Sequence, residues 1–353
     1  MSLKTLATSL GLSKTTVSRA LDGYDDVAPA TRERVKAAAQ AMNYTPNPIA
    51  RRLSRGASET VALVVPAEPG RFYEPVLVEM LSGLGETLAA HGYHLMLMTA
   101  RPGEEEEKVY RRLAVARTAD AAIVVRTRVN DPRIALLAES GFPFVALGRS
   151  ETPHRFAFID GDAQEAFRAA TERFIAQGHR RIGLLATSPK LSFTRYRRAG
   201  FSAAMADAAL NADAVAECAP TEEGGAAAAA ILLASAPRPT AILCMTDRIA
   251  IGAMSAMRGL GLRPGVDVAI IGHDNIPASP YADPPLATME LPLADVGRGL
   301  AQKAIALING ASPEDLCEVR PVQLIWRASA GLAPSDGLLP IKRDSSMGGE
   351  NET

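Results

Sequence analysis

A glycine and a serine two residues apart, Gly11 and Ser13, constrain this chain more tightly than any other feature. Upstream, Leu3, Leu6, Ala7 and Leu10 recur at helical spacing, so residues 2–10 predict a helix with one apolar face. Gly11 ends it, because glycine accepts the left-handed backbone of a helix terminus. Ser13 can cap a second helix by accepting from an unpaired backbone N–H. Two helices joined by a short glycine turn form a helix-turn-helix. Val17, Ala20 and Leu21 of the second helix point inward, leaving Lys14, Thr15, Ser18 and Arg19 on its outer face. A third helix follows, with Pro29 in its first turn and Val35, Ala39 and Met42 as its buried stripe.

Charge shows what that outer face suits. The chain is near neutral at −1, but residues 1–56 hold nine Lys/Arg against four Asp/Glu, so a +5 arm precedes a −6 body. Basic segments gain affinity for DNA by neutralising phosphates and releasing counterions. A solvated helix face would show the same charge; the residue order decides for DNA. The N-terminal end of the second helix enters the major groove in such motifs, where Arg suits guanine and Thr or Ser suits bases or phosphates. Thr16 and Tyr44 join the DNA-contact candidates.

Residues 47–56 form a second basic unit, with Asn47 as cap, Pro48 at the first helical position and Gly56 as stop. So short a helix is unstable alone. Arg51, Arg52 and Arg55 predict that it folds against DNA, the alternative being a flexible basic linker.

Residues 1–56 resemble the headpiece of the lac repressor (LacI/GalR) family. The resemblance lies in residues 12–21 (LSKTTVSRAL), 27–35 (VAPATRERV), 42–47 (MNYTPN) and 50–53 (ARRL), and extends more loosely to about residue 333. It implies base reading by Lys14, Thr15 and Arg19, further contacts from Asn47, Ala50 and Arg51, and a minor-groove wedge at Leu53. An apolar wedge unstacks and kinks a base step, at least cost at a pyrimidine–purine step. The resemblance also implies a homodimer on a palindromic operator.

The body alternates strands and helices. Apolar runs at 61–65, 94–98, 121–125, 144–147, 181–186, 241–245 and 268–272 predict strands, with amphipathic stretches such as 75–91 between them. That order implies doubly wound parallel sheets. By resemblance the body is two-lobed and periplasmic-binding-protein-like. The division is a headpiece at 1–46, hinge and linker at 47–60, lobe one at 61–158 plus 290–319, lobe two at 159–289 plus 320–333, and a disordered tail at 334–353. The four acids at 104–107 open a helix and are expected to stay solvated.

Ligands of open α/β sheets sit beyond the C-terminal strand ends, which makes Phe72, Tyr73, Arg126, Arg149, Asp160, Thr246 and Asp247 effector candidates. The resemblance adds Arg197, within residues 192–201, and Asp274, in the turn 272–275. Guanidinium and carboxylate groups bind paired hydroxyls bidentately. The ordinary alternative is ion pairing or helix capping, to which Asp160 and Asp247 are best suited. His273 stands where the family carries an aromatic, Asn275 where it carries an acid, and Thr246 where Asn or Ser is commoner. Leu291 and Leu293 leave that part of the cleft less polar than in the lac repressor. A neutral sugar such as a glucoside or galactoside leads; three arginines would also suit a sugar acid or phosphate.

Other classes fit less well. Five scattered His lack metal-ligand spacing, and no nucleophile elbow or phosphate loop occurs. No enzyme activity, cofactor or metal is therefore expected. Cys218, Cys244 and Cys317 lie far apart, as in a reducing compartment. No signal-peptide pattern opens the chain and no apolar run spans a bilayer, so a cytoplasmic protein without membrane partner is expected rather than a transport-type sugar-binding protein. Expected partners are double-stranded operator DNA, a small-molecule effector and a second copy. An inducer-released repressor leads; a corepressor-dependent or dual regulator uses the same fold with opposite coupling.

Overall fold

The computed structural model describes residues 2–44, 57–66 and 75–331, which fall into two compact units divided at Glu59/Thr60. Asn47, Ala50, Arg51, Leu53, Phe72, Tyr73 and the 334–353 tail lie outside the described residues.

The first unit is three helices: α1 (Leu3–Leu10), α2 (Lys14–Asp22) and α3 (Pro29–Ala41). Its local signals act as the sequence predicts. Ser2 caps α1, Gly11 ends it at φ 65°, and Ser13 Oγ accepts from Thr16 N at 3.0 Å to cap α2. Leu6, Ala7, Val17, Ala20, Val27, Val35 and Ala39 form the core, while Leu21 and Met42 are only partly buried against it.

The second unit holds two parallel sheets. The larger has strand order β11-β5-β4-β3-β1-β2, from β1 (Thr60–Pro66), β2 (His94–Ala100), β3 (Ala121–Val124), β4 (Phe144–Leu147), β5 (Ala157–Gly161) and β11 (Cys317–Arg320). The smaller has order β7-β6-β8-β9, from β6 (Ile182–Ala186), β7 (Val215–Glu217), β8 (Ala241–Cys244) and β9 (Ala269–Ile271). A short antiparallel pair, β10 (Thr288–Glu290) with β12 (Gln323–Ile325), completes the strands among the described residues. β5 runs past the 158/159 lobe boundary read from sequence, and β11 passes 319, because both pair in register within the larger sheet.

Helices cover both sheet faces: α4 (Pro75–Ala90), α5 (Glu104–Ala116), α6 (Pro132–Glu139) and α11 (Leu293–Ile308) on the larger, α7 (Ala163–Ala176), α8 (Ser192–Asp207), α9 (Glu222–Leu233) and α10 (Asp247–Gly259) on the smaller. Strands β3, β6, β8 and β9 are buried on both faces, which is why they read as continuous apolar runs.

One expectation fails here. Glu106 is fully buried, not solvated like an ordinary helix-opening acid. It pairs with Arg133 and, at 2.7 Å, with Arg128; Arg133 also holds Asp131 at 2.6 Å and donates to the Val125 and Arg126 carbonyls. The partners lie over twenty residues away, so only the fold makes this network. It fixes the 125–131 loop at the end of β3.

Helices α9 and α10 approach at backbone contact. A Cβ on Gly252 would lie 1.9 Å from the Glu222 carbonyl oxygen. Gly252→Ala should therefore lower stability by roughly 1–3 kcal/mol or more through overpacking. Urea unfolding of the full chain measures this; an unchanged midpoint would show that the helices can separate freely.

Candidate effector cavity and DNA-contact helix

The strand ends of the two sheets face each other across a cavity of about 230 Å³. The larger sheet contributes Val65 in β1, Val125, Arg126 and Thr127 after β3, Leu147 and Gly148 at β4, and Asp160 and Gly161 at β5. The smaller contributes Thr246 after β8 and His273 and Asp274 after β9, joined by Phe193 and Arg197 of α8 and Arg248 of α10. Leu77, Met80, Leu291, Leu293 and Val322 complete an apolar wall. Gly148 is required in that wall: its φ is 105°, and a Cβ there would meet Thr127 Oγ1 at 2.3 Å.

Arg197 is the centre of the polar wall. Its Nη1 donates to the Met245 carbonyl, and its Nη2 lies 3.1 and 3.2 Å from the two ring nitrogens of His273. Its guanidinium lies 4.7 Å from the Phe193 ring centroid, so Phe193 and Arg197, at i and i+4, present one surface. Burial lowers the Arg197 pKa, against the pull of Asp274, Asp160 and Asp247. His273 Nδ1 is 2.7 Å from Asp274 Oδ1, and the imidazole stacks at 6.2 Å on Phe167. Burial, then the Arg197 charge, hold His273 well below the usual histidine range, so the ring is neutral. Asp274 adopts φ 114°, a strained conformation for a non-glycine residue, pinned by its N–H to the Met289 carbonyl at 2.8 Å. Burial pushes its carboxyl up to about 7, with Arg197 opposing.

Other candidates resolve differently. Arg126 lies on the cavity wall at φ 53°. Asp160 also lines it, with Arg149 Nε at 2.7 Å; burial raises its pKa despite that bond. Arg149 is not on the lining. It holds Asp160 from behind and lies 4.0 Å from the Tyr196 ring centroid. Thr246 lines the cavity and caps α10, accepting from Ile249 N at 3.3 Å. Asp247 is no lining residue either. It is fully buried and accepts from Ile276 N at 3.0 Å and from the Ser279 and Thr288 hydroxyls at 2.6 Å each. Burial and the Asp274 charge push it up to about 6. Neither aspartate is a helix cap: Thr246 and Asp162 cap α10 and α7. Asn275 donates to Glu290 at 2.8 Å and accepts from Arg327 at 2.8 Å.

Sequence reasoning missed Phe193, Arg248 and the apolar residues Leu77 and Met80. Phe193 was findable from its spacing to Arg197, and Arg248 from its place beside Thr246. Arg248 also makes a two-bond pair with Glu222. At the cavity rim the two sheets' loops meet: Ser192 N donates to the Thr127 carbonyl at 2.9 Å, Val129 N to the Lys190 carbonyl at 3.0 Å, and Arg195 pairs with Glu151 at 2.6 Å.

On the headpiece, Lys14 and Thr15 are exposed, while Thr16, Ser18, Arg19 and Tyr44 are half-buried. Thr16 Oγ1 lies 2.9 Å from the capping Ser13 hydroxyl. Tyr44 packs on the headpiece core, and burial raises its pKa. Arg19 is engaged, with Nε 3.1 Å from Asp26 Oδ1 and Nη2 2.7 Å from Asp26 Oδ2, beside the Tyr24 ring.

Residues 2–47 match the family model "Bacterial regulatory proteins, lacI family", and residues 171–330 match "Periplasmic binding protein-like domain". The chain is 38% identical over 350 residues to the HTH-type transcriptional regulator AglR of Rhizobium meliloti (strain 1021), covering 96% of this chain and 97% of that one. This chain belongs to the lacI family of bacterial regulatory proteins. Another lacI-family relative, the regulator CelR of Thermobifida fusca, is 32% identical over 332 residues, 93% of this chain and 97% of CelR. The solved structure "transcriptional regulator CelR-cellobiose complex" superposes with TM-score 0.72 at 31% identity, covering 93% of this chain and 99% of that one. The lac repressor dimer bound to operator and the anti-inducer ONPF shares the fold, with TM-score 0.79 at 24% identity over 94% of this chain and 99% of that one. Among the described residues no helix is long and apolar enough to cross a membrane, and no acid, His or Cys cluster could hold a metal.

The two raised carboxyls fix a pH dependence. Asp247 and Asp274, at about 6 and about 7 against 3.8 in a free side chain, keep protons in the folded body that the unfolded chain has lost. Their contribution to stability is therefore fully present below about pH 4 and is lost as pH rises from there through 6 and 7. Asp274→Asn should be more stable than the parent at about pH 8, by on the order of 1 kcal/mol, with the gap closing towards about pH 4. Urea unfolding across that range tests the sign.

Proposed function

We propose that this lacI-family regulator is a repressor whose body takes a small neutral sugar into the cavity between its lobes and is thereby released from a palindromic operator. The observation that carries this is the division of the cavity. Arg197, His273 and Asp274 make one hydroxyl-binding wall, opposite an apolar wall that suits the C–H face of a sugar. Arg248 is paired with Glu222, and two carboxylates line the cavity, which favours an uncharged ligand over a sugar acid or phosphate. The relative CelR has been solved with cellobiose.

In this reading a homodimer sets two headpieces on two half-sites. The segments at 47–56 fold as paired hinge helices in the central minor groove, with Leu53 as wedge. Sugar in the cavity changes the angle between the lobes and so the spacing of the hinges. A coupling of about 1–3 kcal/mol changes operator occupancy about 5–150-fold. A corepressor would act through the same parts with the sign reversed. The protein works in the cytoplasm, where its DNA is, and has no catalytic step.

Sugar titration of the full chain on labelled operator DNA at fixed salt tests the reading. Release supports it, tightening identifies a corepressor, and no response to any carbohydrate refutes it. Two variants separate the two sites. Arg19→Ala should cost roughly 1–3 kcal/mol on operator and much less on random DNA, because a base contact must replace its Asp26 partner. Asp274→Ala should weaken sugar binding about tenfold or more by removing charge-assisted hydrogen bonds, while operator affinity stays near that of the parent. The result is a repressor that no longer responds.

A further inference from the structure

His273 sits between the two groups that the proposed function relies on. Arginine can only donate, so a ring nitrogen facing Arg197 Nη2 must be unprotonated. Asp274 Oδ1, at 2.7 Å, takes the hydrogen on Nδ1, which leaves Nε2 to accept from Arg197. The imidazole thus joins a donor to an acceptor in one orientation, and packing on Phe167 holds its plane. Little freedom remains on either side. Arg197 has five N–H groups; one goes to the Met245 carbonyl and one to His273, and its Nε is buried with no partner among the described residues. Asp274 has Oδ1 occupied by His273, and no described residue hydrogen-bonds its Oδ2.

We propose that His273 is the positioning residue that sets effector specificity: it couples Arg197 and Asp274 into a fixed donor–acceptor pair that selects an uncharged sugar offering a hydroxyl to each. The inference rests on the carbohydrate reading and deepens it. A free guanidinium beside a free carboxylate could rearrange to favour an anion or a cation. Above about pH 7, where Asp274 has given up its proton, the two present opposite charges at fixed spacing through the imidazole, so a ligand carrying either charge meets a repulsive partner. The charged groups nearest the ring are Arg197 from α8, Asp247 from α10 and Asp274 from its own turn; burial and Arg197 keep the ring neutral.

The first test needs no effector. In the full chain labelled with [15N]histidine, His273 is expected as the neutral Nδ1–H tautomer at about pH 8, where Asp274 is ionised, and the resonance is assigned by its loss in His273→Gln. The Nε2–H tautomer, or protonation near the ordinary histidine pKa, overturns the coupling. The second test uses cellobiose, with its acid cellobionate as the anionic counterpart, within a panel of neutral disaccharides. The parent should bind its neutral sugar at least about tenfold more tightly than the matching acid. His273→Phe keeps an aromatic on Phe167 but removes the coupling; it should lose about tenfold in sugar affinity and narrow the neutral-to-acid preference. His273→Gln, with one donor and one acceptor, should stay within about threefold of the parent. Circular dichroism confirms that both variants fold, and unchanged operator affinity confirms that the headpiece is unaffected. A His273→Phe protein that binds the neutral sugar as tightly and selectively as the parent refutes the proposal. If no neutral sugar binds the parent, the carbohydrate reading falls and the specificity claim with it, while the tautomer still decides whether His273 couples Arg197 to Asp274.

Discussion

The cavity's polar wall depends on one buried carboxylate that never touches the cavity. Asp247 gathers the Ile276 amide and the Ser279 and Thr288 hydroxyls, and its own N–H donates to the His273 carbonyl at 2.7 Å. These bonds tie the start of α10 to the turn after β9 and to β10. That turn carries His273 and Asp274, and holds Asp274 in a backbone conformation it would not adopt alone. Gly272 lets the turn pass: a Cβ there would lie 2.1 Å from Asp247 Oδ1. A buried acid with three donors is a costly but rigid anchor, and rigidity is what a site built from a few aligned polar groups needs.

The opposite wall is fixed by different means. Arg133 is enclosed by Glu106, Asp131 and two backbone carbonyls. It holds the loop that presents Arg126 and Thr127 to the cavity and Thr127 and Val129 to the other lobe. The same short loop therefore meets both the ligand space and the facing lobe. The loop thus joins the cavity lining to the facing sheet through the Ser192–Thr127 and Val129–Lys190 bonds.

The parts legible in the sequence are those whose cause is local. Gly11, Ser13 and Pro29 act on their own backbone, and the headpiece follows from them. β1–β4, β6, β8 and β9 follow from apolar runs, to within a residue or two, whereas β5, β7, β10, β11 and β12, which are short or alternate in burial, give no such run. Arg126, Asp160, Arg197, Thr246 and Asp274 are recognisable because they follow strands or a resembling motif, and all five line the cavity. Arg149 and Asp247 stand at equivalent positions yet face away from it. Their roles are set by Asp160, Tyr196, Ser279 and Thr288, which only folding brings near. Glu106 is hidden for the same reason: an acid in a helix's first turn looks solvated until an arginine from the next helix covers it.

The Glu106–Arg133–Asp131 network also separates the two halves of the protein by their response to dissolved ions. Exposed charges are screened over about 10 Å at about 0.1 M salt, whereas enclosed pairs hardly notice it. The headpiece meets a polyanion through solvent-facing cations, and its grip weakens steeply as counterions are added. Arg133, 1% exposed with partners at 1% and 0%, has no such sensitivity. Ionic strength thus weakens the headpiece's hold on DNA while the 125–131 loop of the cavity wall keeps its enclosed pairs, and the exposed Arg195–Glu151 pair at the rim is screened as the headpiece is.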